Sequence, residues 1–252
     1  NKIQQFNNEK KTRIKSYGKS LLKKSAQDFF QESISKKYSY NFNWFGIPII
    51  QYPQDIIKLQ EIILQTKPDL IIETGIAHGG SVLFSASMMH LLDISESSKK
   101  NELPRMVLAI DIDFKKHNFD RLYKNTLSKK IKFIKGSSTS KKIGDTVKNF
   151  SKKYKKIMVI LDSNHTHDHV YKELNLYSKL VTKGSYIVVF DTHVEDLPDD
   201  YIWHDRPWGK GNNPKTAVHA WIKKNDSFII DNYLENKVLL TSAPDGFLYR
   251  YN

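Results

Sequence analysis

Glu73-Thr-Gly-Ile-Ala-His-Gly-Gly-Ser81 lies between the run Asp69-Leu-Ile-Ile72 and an apolar segment with helical spacing, Val82 to Leu92. A strand that ends in an acidic residue, then a glycine-rich turn, then a helix is the layout of a nucleotide-type cofactor site. Gly75, Gly79 and Gly80 would let the backbone approach a ligand closely. The helix that opens at Ser81 offers unpaired N–H groups to a carboxylate or another negative group. The spacing is neither G-x-G-x-x-G nor G-x-x-x-x-G-K-[ST], so a standard dinucleotide fingerprint and a P-loop are both excluded. An acidic strand end beside a glycine turn suits S-adenosylmethionine, with Glu73 facing its positive methionine end.

Outward from this stretch the chain alternates strand and helix. Strands are expected at Leu70–Glu73, Met106–Asp111, Lys132–Lys135, Ile157–Asp162 and Tyr186–Asp191, with helices near Gly80–Leu92, Asn118–Ser128, Lys141–Phe150 and Asp168–Leu180. Four of the strands are continuous apolar runs, as strands covered on both faces must be. The rhythm predicts an α/β fold with a parallel, doubly wound sheet. It breaks at Thr192–Pro214, a polar, aromatic segment punctuated by glycine and proline. A helix near Lys215–Lys224 follows, then strands near Phe228–Asn232, Val238–Thr241 and Phe247–Tyr251. The turn sequence Ala243-Pro-Asp-Gly246 would join the last two into a C-terminal hairpin, closing a seven-stranded sheet of the methyltransferase type. Before the series, Asp55–Gln65 reads as an amphipathic helix. Residues 1–43 read as a basic helical N-terminal extension, with Leu21, Leu22, Ala26, Phe29 and Phe30 sharing a face. The main domain is then 44–252.

With 252 residues, 39% of them hydrophobic, the chain can bury a large core. It has no cysteine, which excludes disulfides, thiolate zinc sites and a thiol nucleophile. No run of about 18 apolar residues exists to span a membrane, and the polar, basic start carries no signal core, so a cytoplasmic location is expected. The chain opens on Asn1 rather than Met, as a trimmed product or an internal segment would. Its formal charge of +13 comes from lysines scattered in pairs such as Lys23-Lys24 and Lys152-Lys153. Dispersed charge reads first as solvated surface. It leaves room for contact with an anionic surface or a phosphorylated carrier, and no nucleic-acid partner is expected. A homo-oligomer is compatible with the sequence but not indicated by it.

In a doubly wound sheet, ligands sit at the carboxyl ends of the strands. Asp111 ends the second strand, where a carboxylate suits two ribose hydroxyls. Ser137 and Ser138 form a small polar turn after the third, suited to an adenine edge. Asp162 and Asp191 end the fourth and fifth. Two carboxylates from adjacent strand tips, completed by water, suit Mg²⁺, which could lower the pKa of a substrate hydroxyl and orient it. His165, just past Asp162, is the candidate general base. A rival reading takes His165-Thr-His167-Asp168-His169 as the metal motif of a zinc hydrolase. That run is one residue short of His-x-His-x-Asp-His and follows three βα units rather than opening a β-rich sandwich. A second rival is a non-catalytic polyanion-binding module acting through the basic N-terminus.

Three longer strings carry a family resemblance: Asp162-Ser-Asn-His-Thr-His167, Asp191-Thr-His-Val-Glu-Asp-Leu-Pro198 and Asp205-Arg-Pro-Trp-Gly-Lys-Gly-Asn-Asn-Pro214. With Glu73-Thr-Gly-Ile-Ala77, Thr182-Lys-Gly-Ser-Tyr186 and Thr241-Ser-Ala-Pro-Asp-Gly246, they make the chain resemble the cephalosporin hydroxylase/rhamnosyl O-methyltransferase family from about Trp44 to Arg250. The resemblance implies a Rossmann-like fold, S-adenosylmethionine as methyl donor, Mg²⁺ dependence and transfer to a hydroxyl oxygen, often of a sugar or a glycolipid or polysaccharide precursor. It assigns Asp162 and Asp191 as metal ligands. The family carries an acidic residue just before the second of these, where this chain has Phe190, which cannot ligate Mg²⁺. His193 or Glu195 are the substitutes within reach in sequence. Thr192–Pro214 reads as a lid. In it His193, Arg206 and Trp208 are the candidate substrate contacts, and Tyr201 and Trp203 are further aromatics for stacking on a sugar ring.

Overall fold

The computed structural model describes residues 1–96, 103–113, 116–201 and 205–252, with the backbone alone at 116–119. Two helices open the chain, α1 (Lys2–Tyr17) and α2 (Leu21–Ser35), followed by a small hairpin, β1 (Asn43–Trp44) and β2 (Ile47–Pro48), and by α3 (Pro53–Thr66). The alternating series is β3 (Leu70–Thr74), α4 (Gly80–Ser95), β4 (Met106–Asp111), α5 (Lys116–Lys124), β5 (Ile131–Lys135), α6 (Lys141–Ser151), β6 (Ile157–Leu161), α7 (His167–Tyr177) and β7 (Tyr186–Val189). The chain ends with α8 (Pro214–Ile222), β8 (Phe228–Ile230), α9 (Asn232–Val238) and β9 (Phe247–Arg250).

Seven strands form one sheet in the order β5-β4-β3-β6-β7-β9-β8. The first five are parallel, and β9 runs antiparallel between β7 and β8. Every residue of β3, β6 and β7 is buried, which their unbroken apolar sequence requires. Alternate residues feed two cores. Ile71, Ala109 and Met158 pack toward α3 and α4, and Leu70, Leu108 and Val159 pack toward α6, α7 and α8. Each fully buried aliphatic side chain contributes about 1.5–3 kcal/mol, so these two layers dominate the stability.

The order turns back on itself between β3 and β6: successive strands run outward to β4 and β5 on one side and to β7 on the other. That is the switch point at which loops diverge and leave a crevice. The seven-stranded, mostly parallel sheet with an antiparallel C-terminal strand pair agrees with the sequence expectation. The partners in that pair differ. Val238–Thr241 is not a strand; it holds the last residue of α9 and the loop after it, and Phe228–Ile230 pairs with β9 instead. Asp231 accounts for the change, because its side chain accepts the N–H groups of Tyr233 and Leu234 and so starts a helix.

The N-terminal helices dock through only part of the expected face, Ala26 and Phe30, with Ser33 added to it. Ala26 and Ser33 are buried and Phe30 is half-buried, whereas Leu21, Leu22 and Phe29 are exposed. Spacings of three and four residues put positions 26, 30 and 33 on one stripe. Phe30 packs on Tyr52 with ring centroids 4.8 Å apart, and the Ser33 hydroxyl lies 2.6 Å from the Tyr52 hydroxyl. No helix among the described residues is long and apolar enough to cross a membrane.

Candidate active site

Gly75 has φ +85, and a Cβ there would lie 2.0 Å from the Asp162 carbonyl oxygen, so only glycine lets the tip of β3 meet the tip of β6. Gly80 serves α4 in the same way, since its Cβ would fall 2.3 Å from the Pro48 carbonyl oxygen. The space at these glycines is therefore taken by protein backbone rather than kept for a ligand. Gly79, the N-cap of α4 at φ +95, faces Leu122 and is absent from the pocket wall. That pocket opens over the turn. Gly75, Gly80, Ser81, Gln51 and Asp162 are among its lining residues, and it spans about 310 Å³ including the part open to solvent. The first turn of α4 has no side-chain cap.

The other expected cofactor contacts are distributed unevenly. Asp111 is at the tip of β4, where its Oδ2 accepts the Ile76 N–H at 2.7 Å and its Oδ1 the Asp113 N–H at 3.0 Å. It thus pins the glycine turn, and each oxygen keeps a lone pair for a further donor. Glu73 is a correction: its side chain is buried under α4 and does not line the pocket. In the pleat it shares a face with Ile71, which points it at α4, and Ser85 donates to its Oε2 at 2.9 Å. Its Oε1 has no hydrogen-bond partner. Burial pushes its pKa up to about 7, against the partial offset of the Ser81 and Ser85 hydroxyls. Ser138 is turned inward as well: its hydroxyl lies 3.1 Å from His169 Nε2, and its carbonyl accepts the Tyr177 hydroxyl at 2.5 Å. Ser137 pairs with Thr139 at 3.0 Å. Neither serine lines the pocket.

The acidic strand tips converge. Asp162, His165 and Asp191 each place a ligand atom within 4.8 Å of the others, a group able to hold a metal ion. His165 Nε2 lies 3.2 Å from Asp191 Oδ2. Gln51 donates to Asp162 Oδ2 at 3.1 Å. Burial, then the nearby Asp191, Glu73 and Glu173, drives the Asp162 carboxyl well above the usual carboxylate range. Burial lowers the His165 pKa despite the opposing pull of Asp191, so the ring is neutral near pH 7. Trp208 closes one side, meeting His165 edge to face with centroids 4.6 Å apart.

Phe190 is 2% exposed and belongs to the core on the α3/α4 face, so it takes no part in this cluster. Asp191 escapes the same fate because its backbone is left-handed, φ 57 and ψ 22, which breaks the pleat and swings its carboxylate into the crevice. Aspartate tolerates that conformation better than most residues. Of the two substitutes considered for the missing acid, Glu195 is committed elsewhere: it accepts the Gly211 N–H at 2.8 Å and the Asn213 side-chain amide, tying down the loop that leads into α8. His193 is close, with Nδ1 3.8 Å from Asp191 Oδ1, but it is buried and its Nδ1 also lies 3.1 Å from the Ser242 carbonyl oxygen. It belongs to the wall of the site rather than to a moving lid. Arg206 remains exposed and lies over Trp208 at 5.3 Å. Trp203 lies outside the described residues.

The three-histidine hydrolase reading fails on direction. His165 joins the two aspartates, His167 Nδ1 is 2.8 Å from Thr216 Oγ1, and His169 Nε2 turns to Ser138 and Ser163. Helical spacing fans the rings apart, and only His165 joins the metal-capable group. Two residues at the site went unnoticed in the sequence. Gln51 sits in an irregular connector, and Ser242 acts through its carbonyl, so neither carries a signal. Phe30 was expected on the docking face of the N-terminal helices, and the structure adds its contact with His193.

A model of the family described as Rhamnosyl O-methyltransferase/CmcI matches residues 36–251. A rhamnosyl O-methyltransferase of Mycobacterium leprae is 31% identical over 231 residues, 88% of this chain and 91% of the relative. One from Mycobacterium tuberculosis is 30% identical over 88% of this chain and 86% of its own length. Among solved structures, CmcI in its Mg-SAM form aligns with a TM-score of 0.57 at 14% identity, covering 84% of this chain and 77% of that one. An O-methyltransferase from Bacillus cereus, in complex with SAH, aligns at 0.51 and 11% identity, covering 84% and 82%. These structural likenesses concern the fold.

Proposed function

The chain belongs to the rhamnosyl O-methyltransferase/CmcI family, and from that premise we propose that it is an O-methyltransferase that uses S-adenosylmethionine to methylate a sugar hydroxyl, with Mg²⁺ held at the strand tips. The observation that carries this reading is the meeting of Asp162, His165 and Asp191 beside the pocket over the glycine turn.

The residues present suit the methyl donor. The uncapped first turn of α4 offers N–H groups to an amino-acid carboxylate. Gln51 lines the pocket, and its Oε1 is buried without a partner, an acceptor awaiting a donor such as an ammonium group. Asp111 has lone pairs left for ribose hydroxyls. The donor, when bound, supplies an electrophilic methyl group on a sulfonium.

The residues also suit a hard divalent cation. Burial and then its acidic neighbours raise the Asp162 carboxyl well above the usual carboxylate range, and a bound cation would offset both effects. Asp162 and Asp191 would hold Mg²⁺, whose chemistry is to lower the pKa of the acceptor hydroxyl.

His165 is neutral at physiological pH and is placed to take the hydroxyl proton. Asp191, 3.2 Å from its Nε2, fixes the ring and offsets the positive charge that forms. Trp208 covers the ring edge and keeps water from competing for that proton. The enzyme's contribution is orientation and deprotonation, since methyl transfer is an in-line displacement. The acceptor proposed is a saccharide hydroxyl, on a glycolipid or polysaccharide precursor. Calorimetric titration with S-adenosylmethionine, with and without Mg²⁺, tests the reading. Saturable binding is expected, and its absence in both conditions would remove the transferase proposal.

A further inference from the structure

Asp55 lies fully buried in the first turn of α3. A carboxyl group taken out of water needs donors for both of its oxygens, and one short segment supplies them. Its Oδ1 accepts the Thr241 hydroxyl at 2.5 Å, and its Oδ2 accepts the Ser242 N–H at 2.8 Å and the Ser242 hydroxyl at 3.0 Å. Lys58, on the same helix, adds a counter-charge; its Nζ is buried over the Phe247 ring, 3.6 Å from the centroid. The loop after α9 is thereby clamped to α3 at Thr241 and Ser242.

The clamped loop in turn holds the two residues that follow Asp191. The Pro244 carbonyl accepts the Thr192 hydroxyl at 2.6 Å. The Ser242 carbonyl accepts the His193 backbone N–H at 3.5 Å and lies 3.1 Å from His193 Nδ1. A carbonyl oxygen can only accept, so the proton of this contact sits on Nδ1. The other neighbour of Nδ1 is the Asp191 carboxylate at 3.8 Å, also an acceptor. The Phe30 ring meets the imidazole edge to face with centroids 5.1 Å apart and restricts its rotation. Nε2 makes no hydrogen bond among the described residues and is not one of the buried polar atoms left without a partner, so it is open to solvent. In a neutral ring whose proton is on Nδ1, Nε2 carries the lone pair.

We infer that Asp55 is a positioning residue for the wall of the active site: through the Ser242 carbonyl it fixes His193 in the Nδ1–H form, so that the ring offers a lone pair at Nε2 and no proton. A wall of this kind accepts a hydrogen bond from a hydroxyl and gives none to an ether oxygen. The inference rests on the transferase reading for what approaches the ring, but the state of the ring is read on the protein alone.

The test is NMR of the full chain labelled with nitrogen-15 at the histidine rings, at neutral pH, with the His193 signals assigned by their loss in His193→Gln. The ring nitrogen shifts report which nitrogen holds the proton. In the parent, Nδ1 is expected to be protonated and Nε2 bare. In Asp55→Ala the ratio of the Nδ1–H to the Nε2–H form should fall about ten-fold, as loss of one hydrogen bond would give. Asp55→Asn should stay close to the parent, because one amide oxygen can accept both Ser242 donors. Should Asp55→Ala fail to fold, Thr241→Val/Ser242→Ala carries the test: it removes two of the three bonds and keeps the acid, and a fall in the same ratio is expected. A parent ring with its proton on Nε2, or with both nitrogens protonated, overturns the inference. So does an unchanged ratio in a folded Asp55→Ala whose melting temperature has dropped, which would make Asp55 a structural brace alone. S-adenosylmethionine failing to bind the parent would strike the transferase reading and leave the ring's state standing.

Discussion

His165 and Asp191 meet across the tips of β6 and β7, imidazole Nε2 to carboxylate Oδ2, at 3.2 Å. They are 26 positions apart in sequence, and the parallel pairing of the two strands brings them together. A neutral ring braced by a carboxylate is a base whose charged product is stabilised in advance. Replacing His165 with Ala should lower turnover by about 10²–10⁴-fold while leaving the affinity for S-adenosylmethionine near that of the parent. Steady-state rates and calorimetry on the same preparation check both halves, and undiminished turnover removes His165 from the chemistry.

Chelation should lower the rate, and added Mg²⁺ should restore it. Asp162→Ala should lose metal affinity and activity together, because it deletes an oxygen ligand and leaves Gln51 without its acceptor. A rate indifferent to chelator would retire the metal while leaving methyl transfer intact.

Phe190 stands where the family resemblance implies an acidic residue, which invites a test by substitution. Phe190→Glu should not strengthen Mg²⁺ binding. The side chain is 2% exposed in the apolar layer against α3 and α4, so the new carboxylate would be buried without a partner, at a cost of several kcal/mol. A large drop in the urea midpoint is expected, and tighter Mg²⁺ binding would show that the strand can turn this residue outward.

Glu73 sets a pH dependence of stability. Its folded-state pKa of about 7 lies above the ordinary value of 4.5, so the folded state holds the proton more tightly. Its contribution is full below about pH 4.5 and is lost as pH rises through 7, about 3 kcal/mol in all. Glu73→Gln should flatten the decline in ΔG of unfolding between pH 5 and 8 and raise the melting temperature at pH 8. An unchanged slope would mean that the carboxylate finds a counter-charge.

Gly75→Ala should cost at least about 2 kcal/mol, since its Cβ would press on the Asp162 carbonyl oxygen and its φ is +85. Because that contact joins β3 to β6, metal affinity should fall together with the unfolding midpoint. Loss of stability alone would show that the strand tips adjust independently.

The layered sheet was legible because β3, β4, β6 and β7 are unbroken apolar runs separated by helical spacing. The acidic tips were legible because a doubly wound sheet puts its strand ends on one edge. Glu73 was misjudged because sequence does not say which face of the pleat the last residue takes; its parity with Ile71 holds the answer. The strand expected at Val238–Thr241 failed because Asp231 caps a helix that runs into it, a local bond that outweighs a short apolar run. The helical stripe marks Phe30 as a docking residue, but its contact with His193 depends on where that helix lands on the sheet, which local spacing does not encode.

The left-handed backbone at Asp191 separates two properties that usually change together. Asparagine tolerates the same torsions but carries no charge, so Asp191→Asn isolates the carboxylate's electrostatics with the loop's course preserved. Alanine or glutamate at this position would alter the path of the chain as well, and a rate measured on either would report a displaced loop as much as a missing ligand.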